Sequence, residues 1–236
     1  MEFPIRINKY LRDMNLASRR EADKLVEAGL VFINGKRAES GAKVNETDKV
    51  SLKENLNNQK QLQYLAYYKP KGLPTQDLPK KPSVISDWYK KGLYPVGRLD
   101  KESEGLLILT NDGRFAREVL SDKKEFEKEY LVVVKEPLRA GMEDIFEKGM
   151  ETEAFGKLLP VKSKIINKNK ISIILNEGKK HQIRVMMNEL NYTIVSLKRI
   201  RIGKIKLGNL KPGETQPIKV SMKSSVPKFT NNDRRK

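Results

Sequence analysis

Residues 97–113 read GRLDKESEGLLILTNDG. One acid, Asp100, stands two positions after a guanidinium, Arg98, and just ahead of an apolar run at 106–109. A carboxylate in such a place can be held partly dry while a nearby cation keeps it ionised. The apolar run predicts a buried strand over 106–110, and the Asn111-Asp112-Gly113 triplet predicts a turn. Phe115 and Val119, at i and i+4, predict a short helix after it. The chain has little other equipment for covalent chemistry, with no Cys and a single His, His181. Thiol nucleophiles, Ser-His-Asp triads with a spare histidine, and Cys-rich or multi-His metal sites are largely excluded on that count. Asp100 is therefore the carboxylate on which enzyme chemistry would centre.

Composition bounds the partner. The 236 residues suffice for one sizeable core plus a small second module. Lys and Arg number 48 against 30 Asp and Glu, a net charge of +18. A surface tuned for solubility alone needs less excess of one sign, so this surplus points to a polyanion, and nucleic acid is the commonest. No apolar stretch approaches the roughly 20 residues of a membrane span. The first thirty residues lack the unbroken apolar core of a signal peptide. Zero Cys agrees with a reducing compartment, and the expected location is cytoplasmic.

Residues 3–52 read as a small unit of their own. Asn8 is placed to cap a helix that turns Leu11 and Met14 inward and Lys9 and Arg12 outward. Ser18 and Glu21 form an S-x-x-E capping box for a second helix, with Ala22, Leu25 and Val26 on one face and a stop at Gly29. Arg19, Arg20 and Lys24 crowd its other side near the first turn, where cations oppose the macrodipole and phosphate would relieve the repulsion. Asn34-Gly35 between two short apolar-containing runs signals a type I′ hairpin, and 49–52 a last strand. IRINKYLRDMNLASRREADKLVEAGLVFINGKRA resembles an S4 domain, a helix-helix-hairpin RNA-binding module. That resemblance implies that Lys9, Arg12, Ser18, Arg19, Arg20 and Lys24 face structured RNA, with the turn from Asn34 to Lys36 nearby. Residues 53–63 are polar and aperiodic and read as a linker, which would tether the RNA grip to a second RNA-binding surface.

A larger domain is expected over 64–220. Residues 65–68 suit a strand broken by Pro70 and Gly72, and 73–92 are loop-rich. Buried strands are expected at 130–134, with Tyr130 at the mouth, and at 171–175, with a helix at 141–149 between them. Ile183, Met186, Met187 and Leu190 mark an amphipathic helix, whose methionines are core, with Arg184 at the edge of the apolar face. His181 reads as a surface or RNA-facing residue rather than a catalyst. Over 193–207 the apolar phase flips at Gly203, which predicts a bulge or sharp bend there. Nine Lys or Arg against one acid between Gly178 and Gly213, Lys179 and Lys180 among them, form a second basic surface. The tail over 221–236 reads as basic and disordered.

Four segments, YKPKG, GRLDKESEGLLILTNDG, EKEYLV and EGKKHQIRVM, together resemble the S4-domain-bearing ribosomal RNA pseudouridine synthases of the RsuA/RluB/RluF type, over roughly residues 3–218. The phrase YPVGRLDKESEGLLILTND is nearer to the RluF-like branch, which acts on large-subunit rRNA. EGKKHQIR is nearer to the RsuA-like branch, which acts on small-subunit rRNA. The expectation is a 23S-directed enzyme, with a 16S-directed one or a non-catalytic S4-domain assembly factor as alternatives. Two departures stand out: Arg184 is followed by Val185 and Met186 where the family often has a second cation, and residues 213–218 read GETQPI where it often ends in an aromatic-basic pair. The resemblance implies an α+β fold, the larger domain built on a mixed, mostly antiparallel sheet with flanking helices. It implies Asp100 as the essential aspartate, Arg184 as its ion-pair partner, and Arg98 in support of the loop or a phosphate. Tyr130 is implied as the surface on which the extruded base stacks, and as a relay for the C5 proton; Leu207 is implied in the pocket lining. The isomerisation adds no atom and involves no redox step, so no cofactor or metal is expected. A structured RNA stem-loop is the expected partner and a monomer the expected state.

Overall fold

The structure, a computed structural model, describes residues 3–14, 16–17, 19–53, 61–75, 86–121, 126–221 and 228–229. The chain divides into two compact units, residues 1–62 together with 112–114, and residues 63–111 together with 115–236.

The first unit runs β1 (Ile5–Arg6), α1 (Ile7–Asp13), α2 (Arg19–Glu27), β2 (Val31–Ile33), β3 (Lys36–Arg37), β4 (Lys43–Val44) and β5 (Val50–Leu52). Leu11, Ala22, Val26 and Val31 are buried at its centre, with Leu25 half-buried beside them. α2 ends as the sequence predicts, at Gly29, whose φ of +67° favours glycine. The Asn34-Gly35 turn has φ of +52° and +80°, both positive as a type I′ turn needs. It closes the β2–β3 hairpin, and β5 pairs on the other edge of β2.

Three expectations for this unit are corrected. Asn8 does not cap α1; Arg6 precedes the helix without a side-chain cap, and the Asn8 amide donates to Asp23 at 2.8 Å. Met14 lies past the end of the helix and is exposed, because α1 stops one residue short of it. Arg12 does not point outward; its guanidinium is largely buried and donates to Asp13 at 2.7 Å. Ser18 and the Arg20 side chain lie outside the described residues.

The second unit runs β6 (Tyr64–Lys69), α3 (Ser86–Lys90), β7 (Tyr94–Val96), β8 (Glu104–Thr110), α4 (Gly113–Leu120), β9 (Lys128–Val134), α5 (Met142–Glu147), β10 (Glu151–Thr152), β11 (Gly156–Lys157), β12 (Lys162–Asn167), β13 (Lys170–Leu175), α6 (Gln182–Glu189), β14 (Ile194–Ile202), β15 (Ile205–Lys206) and β16 (Thr215–Pro217). Its main sheet has the order β12-β13-β9-β14-β8-β6-β16, with β7 also on β8 and β15 on β14. Every pairing in it is antiparallel except β14 with β8. The expected mixed, mostly antiparallel sheet with flanking helices is what forms.

β8, the strand of the 97–113 segment, is buried from Gly105 to Thr110 because it has partners on both edges. Asp112 turns the chain out of it, its carboxylate accepting from the Arg114 N–H at 2.9 Å to cap α4. Tyr130 packs against two apolar clusters, one with Val132, Ile173, Met186 and Met187, the other with Tyr67, Leu99, Leu107 and Leu109. Gly203 resolves the expected break as a full reversal: with φ of +54° it starts a two-residue turn, and Ile202 pairs Ile205 across it. The 213–218 departure supplies β16, an edge strand on β6. Of the tail read as disordered, the described residues Ser221, Lys228 and Phe229 form a short antiparallel ladder with Val220. Among the described residues, no helix is long and apolar enough to cross a membrane.

Candidate active site

Asp100 sits on the loop between β7 and β8, half-buried. Two loops build its seat. The Ser103 N–H donates back to the Asp100 carbonyl at 3.0 Å, and the Gly72 N–H donates to the Lys101 carbonyl at 2.8 Å. Thr75, buried, joins the next residue back: its hydroxyl donates to the Leu99 carbonyl at 2.6 Å and accepts from the Leu99 N–H at 3.0 Å. The K-P-K-G segment after β6 is thereby laced to the aspartate loop.

Lys69, the first lysine of that segment, is fully buried. Its ammonium donates to the carbonyls of Pro70 at 2.8 Å and Leu73 at 2.7 Å, which fixes the turn from inside. Burial lowers its pKa to about 8, against the pull of Asp100, Glu102 and Glu104, with Arg199 pushing the same way as burial. A buried cation thus lies in the field of the Asp100 loop.

The groups that meet the Asp100 carboxylate come from the start of α6. Arg184 Nε lies 3.9 Å from Oδ2, and Arg184 Nη2 donates to the buried Ser103 hydroxyl at 3.1 Å. His181 Nε2 lies 3.1 Å from Oδ1. The structure therefore brings Arg184 to Asp100 as the resemblance implied. It does not bring Arg98, which is exposed and has no ion pair with Asp100. Adjacency in sequence suggested a pairing that the structure does not form.

Tyr130 is half-buried on β9, paired with Ile173 and Arg199 and packed against the cluster that holds Leu99, one residue from Asp100. The Arg199 guanidinium lies 6.0 Å from the Tyr130 ring centroid. Arg199 is itself buried; its Nε donates to the Leu106 carbonyl at 2.7 Å, and its Nη2 has no partner among the described residues. Leu207 is buried just past β15, its N–H donating to the Ile200 carbonyl at 2.8 Å. Lys179 is drawn to Glu177 at 3.5 Å and to the Phe155 ring, while Lys180 is exposed.

In the first unit Arg19, Lys24, Asn34 and Lys36 are exposed and Lys9 half-buried. Asn34 is not free for RNA with its amide: it donates to Asp48 at 2.8 Å and accepts from the Lys49 N–H at 2.8 Å. That bond and the Asn45 N–H hold the Asp48 carboxyl below its ordinary value, the Asn45 contribution being the larger. Among the described residues, no group of three or more His, Asp or Glu side chains is placed to hold a metal ion.

Sequence reasoning passed over Lys69, Ser103, Thr75 and Arg199, and set His181 aside. Ser103 and Lys69 stood inside quoted motifs, and their fixed spacing was the available signal. Thr75 and Arg199 carry none, because their partners lie 24 and 93 positions away.

A carboxylate on a laced loop, an arginine against it and a tyrosine over the adjoining core are carried together on one mixed sheet. The family model for RNA pseudouridylate synthase matches residues 63–189, and the S4 domain model matches residues 5–50. The chain belongs to the RNA pseudouridylate synthase family. It is 34% identical over 227 residues to the dual-specificity RNA pseudouridine synthase RluF of Escherichia coli O6:H1, covering 91% of this chain and 75% of that one. It is 32% identical over 225 residues to the ribosomal large subunit pseudouridine synthase B of Bacillus subtilis, covering 90% and 91%. A crystal structure of a pseudouridylate synthase superposes with a TM-score of 0.66 at 25% identity, over 91% of this chain and 96% of that one.

Proposed function

We propose that this protein isomerises a specific uridine of ribosomal RNA, in the large subunit, to pseudouridine, with Asp100 as the essential carboxylate. The observation that carries this is the pairing of Asp100 with Arg184 on a loop laced to the K-P-K-G turn. The names of the two relatives above, one of them a large-subunit enzyme, support the choice of RNA.

In the reaction the C1′–N1 bond breaks, the uracil turns, and C1′ joins C5. The proton on C5 then leaves and the ring regains its C5=C6 double bond. Asp100 in its carboxylate form serves either as nucleophile at C1′ or as the base for elimination. Arg184 stands beside that carboxylate and pairs with its charge. Tyr130 stacks on the uracil once the nucleotide has been flipped from its stem. Arg98, exposed on the same loop, holds a backbone phosphate, and Leu207 lines the pocket wall. Residues 3–52 act as an RNA grip through Lys9, Arg19 and Lys24, and 64–220 form the catalytic domain, joined by the linker over 53–63. The enzyme works as a cytoplasmic monomer.

The test is tritium release from 16S and 23S transcripts carrying [5-³H]uridine, wild type beside Asp100→Asn. Wild type releases tritium from the 23S transcript alone, and Asp100→Asn binds that RNA without releasing it. Release by Asp100→Asn, or release confined to 16S RNA, contradicts the assignment of the residue or of the subunit respectively.

A further inference from the structure

We infer that His181 is a positioning residue of the isomerisation, holding Asp100 from the oxygen opposite to that faced by Arg184. The inference rests on the reading of Asp100 as the reacting carboxylate.

The geometry is specific. His181 Nε2 stands 3.1 Å from Asp100 Oδ1, and Arg184 Nε stands 3.9 Å from Oδ2. The imidazole is the nearer of the two. His181 precedes α6 and Arg184 is three residues on, so the first turn presents both side chains on one face. Each oxygen of the carboxylate thus faces a side-chain nitrogen from the start of α6, which restrains the plane of the group as well as its position.

The backbone supports this placement. His181 has φ of +59° and ψ of +20°, a left-handed conformation that strains a side-chain-bearing residue. A residue at this position commonly turns its side chain back to cap its own helix. His181 makes no such bond, and its ring faces Asp100 instead. The turn ahead of it is locked: the buried Gln182 amide donates to Glu177 at 2.8 Å and accepts from the Lys179 N–H at 3.3 Å. The same Glu177 engages the Lys179 ammonium, so that cation does not compete for Asp100. A strained backbone held by a buried amide aims the only imidazole of the chain at the reacting group.

The imidazole edge is about half exposed, at 47%, so a small molecule can enter where it stands. That permits a test by replacement. His181→Gly accepts the left-handed backbone without strain, and His181→Asn tolerates it. Removing one polar side chain from beside a charged reacting group is expected to cost about 10- to 100-fold in rate. Both variants are expected to lose kcat in that range in the tritium-release assay, with KM for the RNA unchanged. Imidazole added in solution restores kcat to His181→Gly and does nothing for Asp100→Asn. A kcat within twofold of wild type in both variants overturns the inference, as does a loss in His181→Gly that imidazole leaves unrestored. Tritium release by Asp100→Asn overturns the Asp100 reading instead, so the two failures are distinct.

Discussion

A single buried ammonium shows how this site treats charge. Lys69 has no exposed surface, yet two carbonyls hold it and three acidic side chains lie in its field. Its pKa of about 8 in the folded chain compares with 10.5 in the open one. Below pH 8 both states carry the proton and the burial cost is felt in full. Between about 8 and 10.5 the folded state has released a proton that the unfolded state still holds, so folding stability rises with pH. The rise amounts to at most about 3 kcal/mol. Tyr67, whose burial pushes its phenol up to about 12, opposes this only above the ordinary tyrosine value near 10. Denaturant unfolding at pH 7.5 and pH 9.5 is expected to show the gain in wild type. Lys69→Met, less stable throughout because two carbonyls lose their donor, lacks the gain. Equal pH slopes in the two proteins would contradict the assignment.

Among the elements, β8 carries the tightest constraint. Gly105 has φ of +105°, and a Cβ built there would stand 2.3 Å from the Arg199 carbonyl oxygen on β14. The glycine permits the one parallel contact of the main sheet, and it lets the Arg199 side chain cross to the Leu106 carbonyl. Gly105→Ala is expected to destabilise by about 3 kcal/mol or more, from overpacking added to backbone strain, and to reduce activity by displacing Tyr130 from Arg199. Thermal unfolding checks the first expectation and tritium release the second. This contact also marks where sequence reading stops. Strand 106–110, the α6 stripe and the Asn34-Gly35 turn were legible because their signals are local: an apolar run, a period near four, a dipeptide with positive φ. Asp100 and Arg184 were legible through motif spacing. Asn8, Met14 and Arg12 were misplaced because α1 begins and ends earlier than its apolar spacing suggests, and because Asp13 and Asp23 claim side chains that local pattern leaves free. Arg199 and His181 depend on partners far along the chain, which no window of sequence contains.

Across the whole molecule the dominant quantity is the net charge of +18. Each phosphate met by a cation steepens the salt dependence of RNA binding, by somewhat under one in the log–log slope. Arg19 and Lys24, both exposed on the first unit, are expected to contribute in this way without touching the chemistry. Replacing both by alanine should weaken RNA binding and flatten the salt slope, while kcat at saturating RNA stays as in wild type. An unchanged slope in a filter-binding titration would remove the N-terminal unit from the RNA interface. The two-way clasp between Thr75 and Leu99 bears on the other end of the transaction. A loop tied at its backbone from both donor and acceptor has surrendered its conformational entropy when the chain folds. On the proposed function, the RNA would meet a carboxylate already in place, and the free energy of its docking would be left for unstacking one nucleotide rather than for ordering this loop.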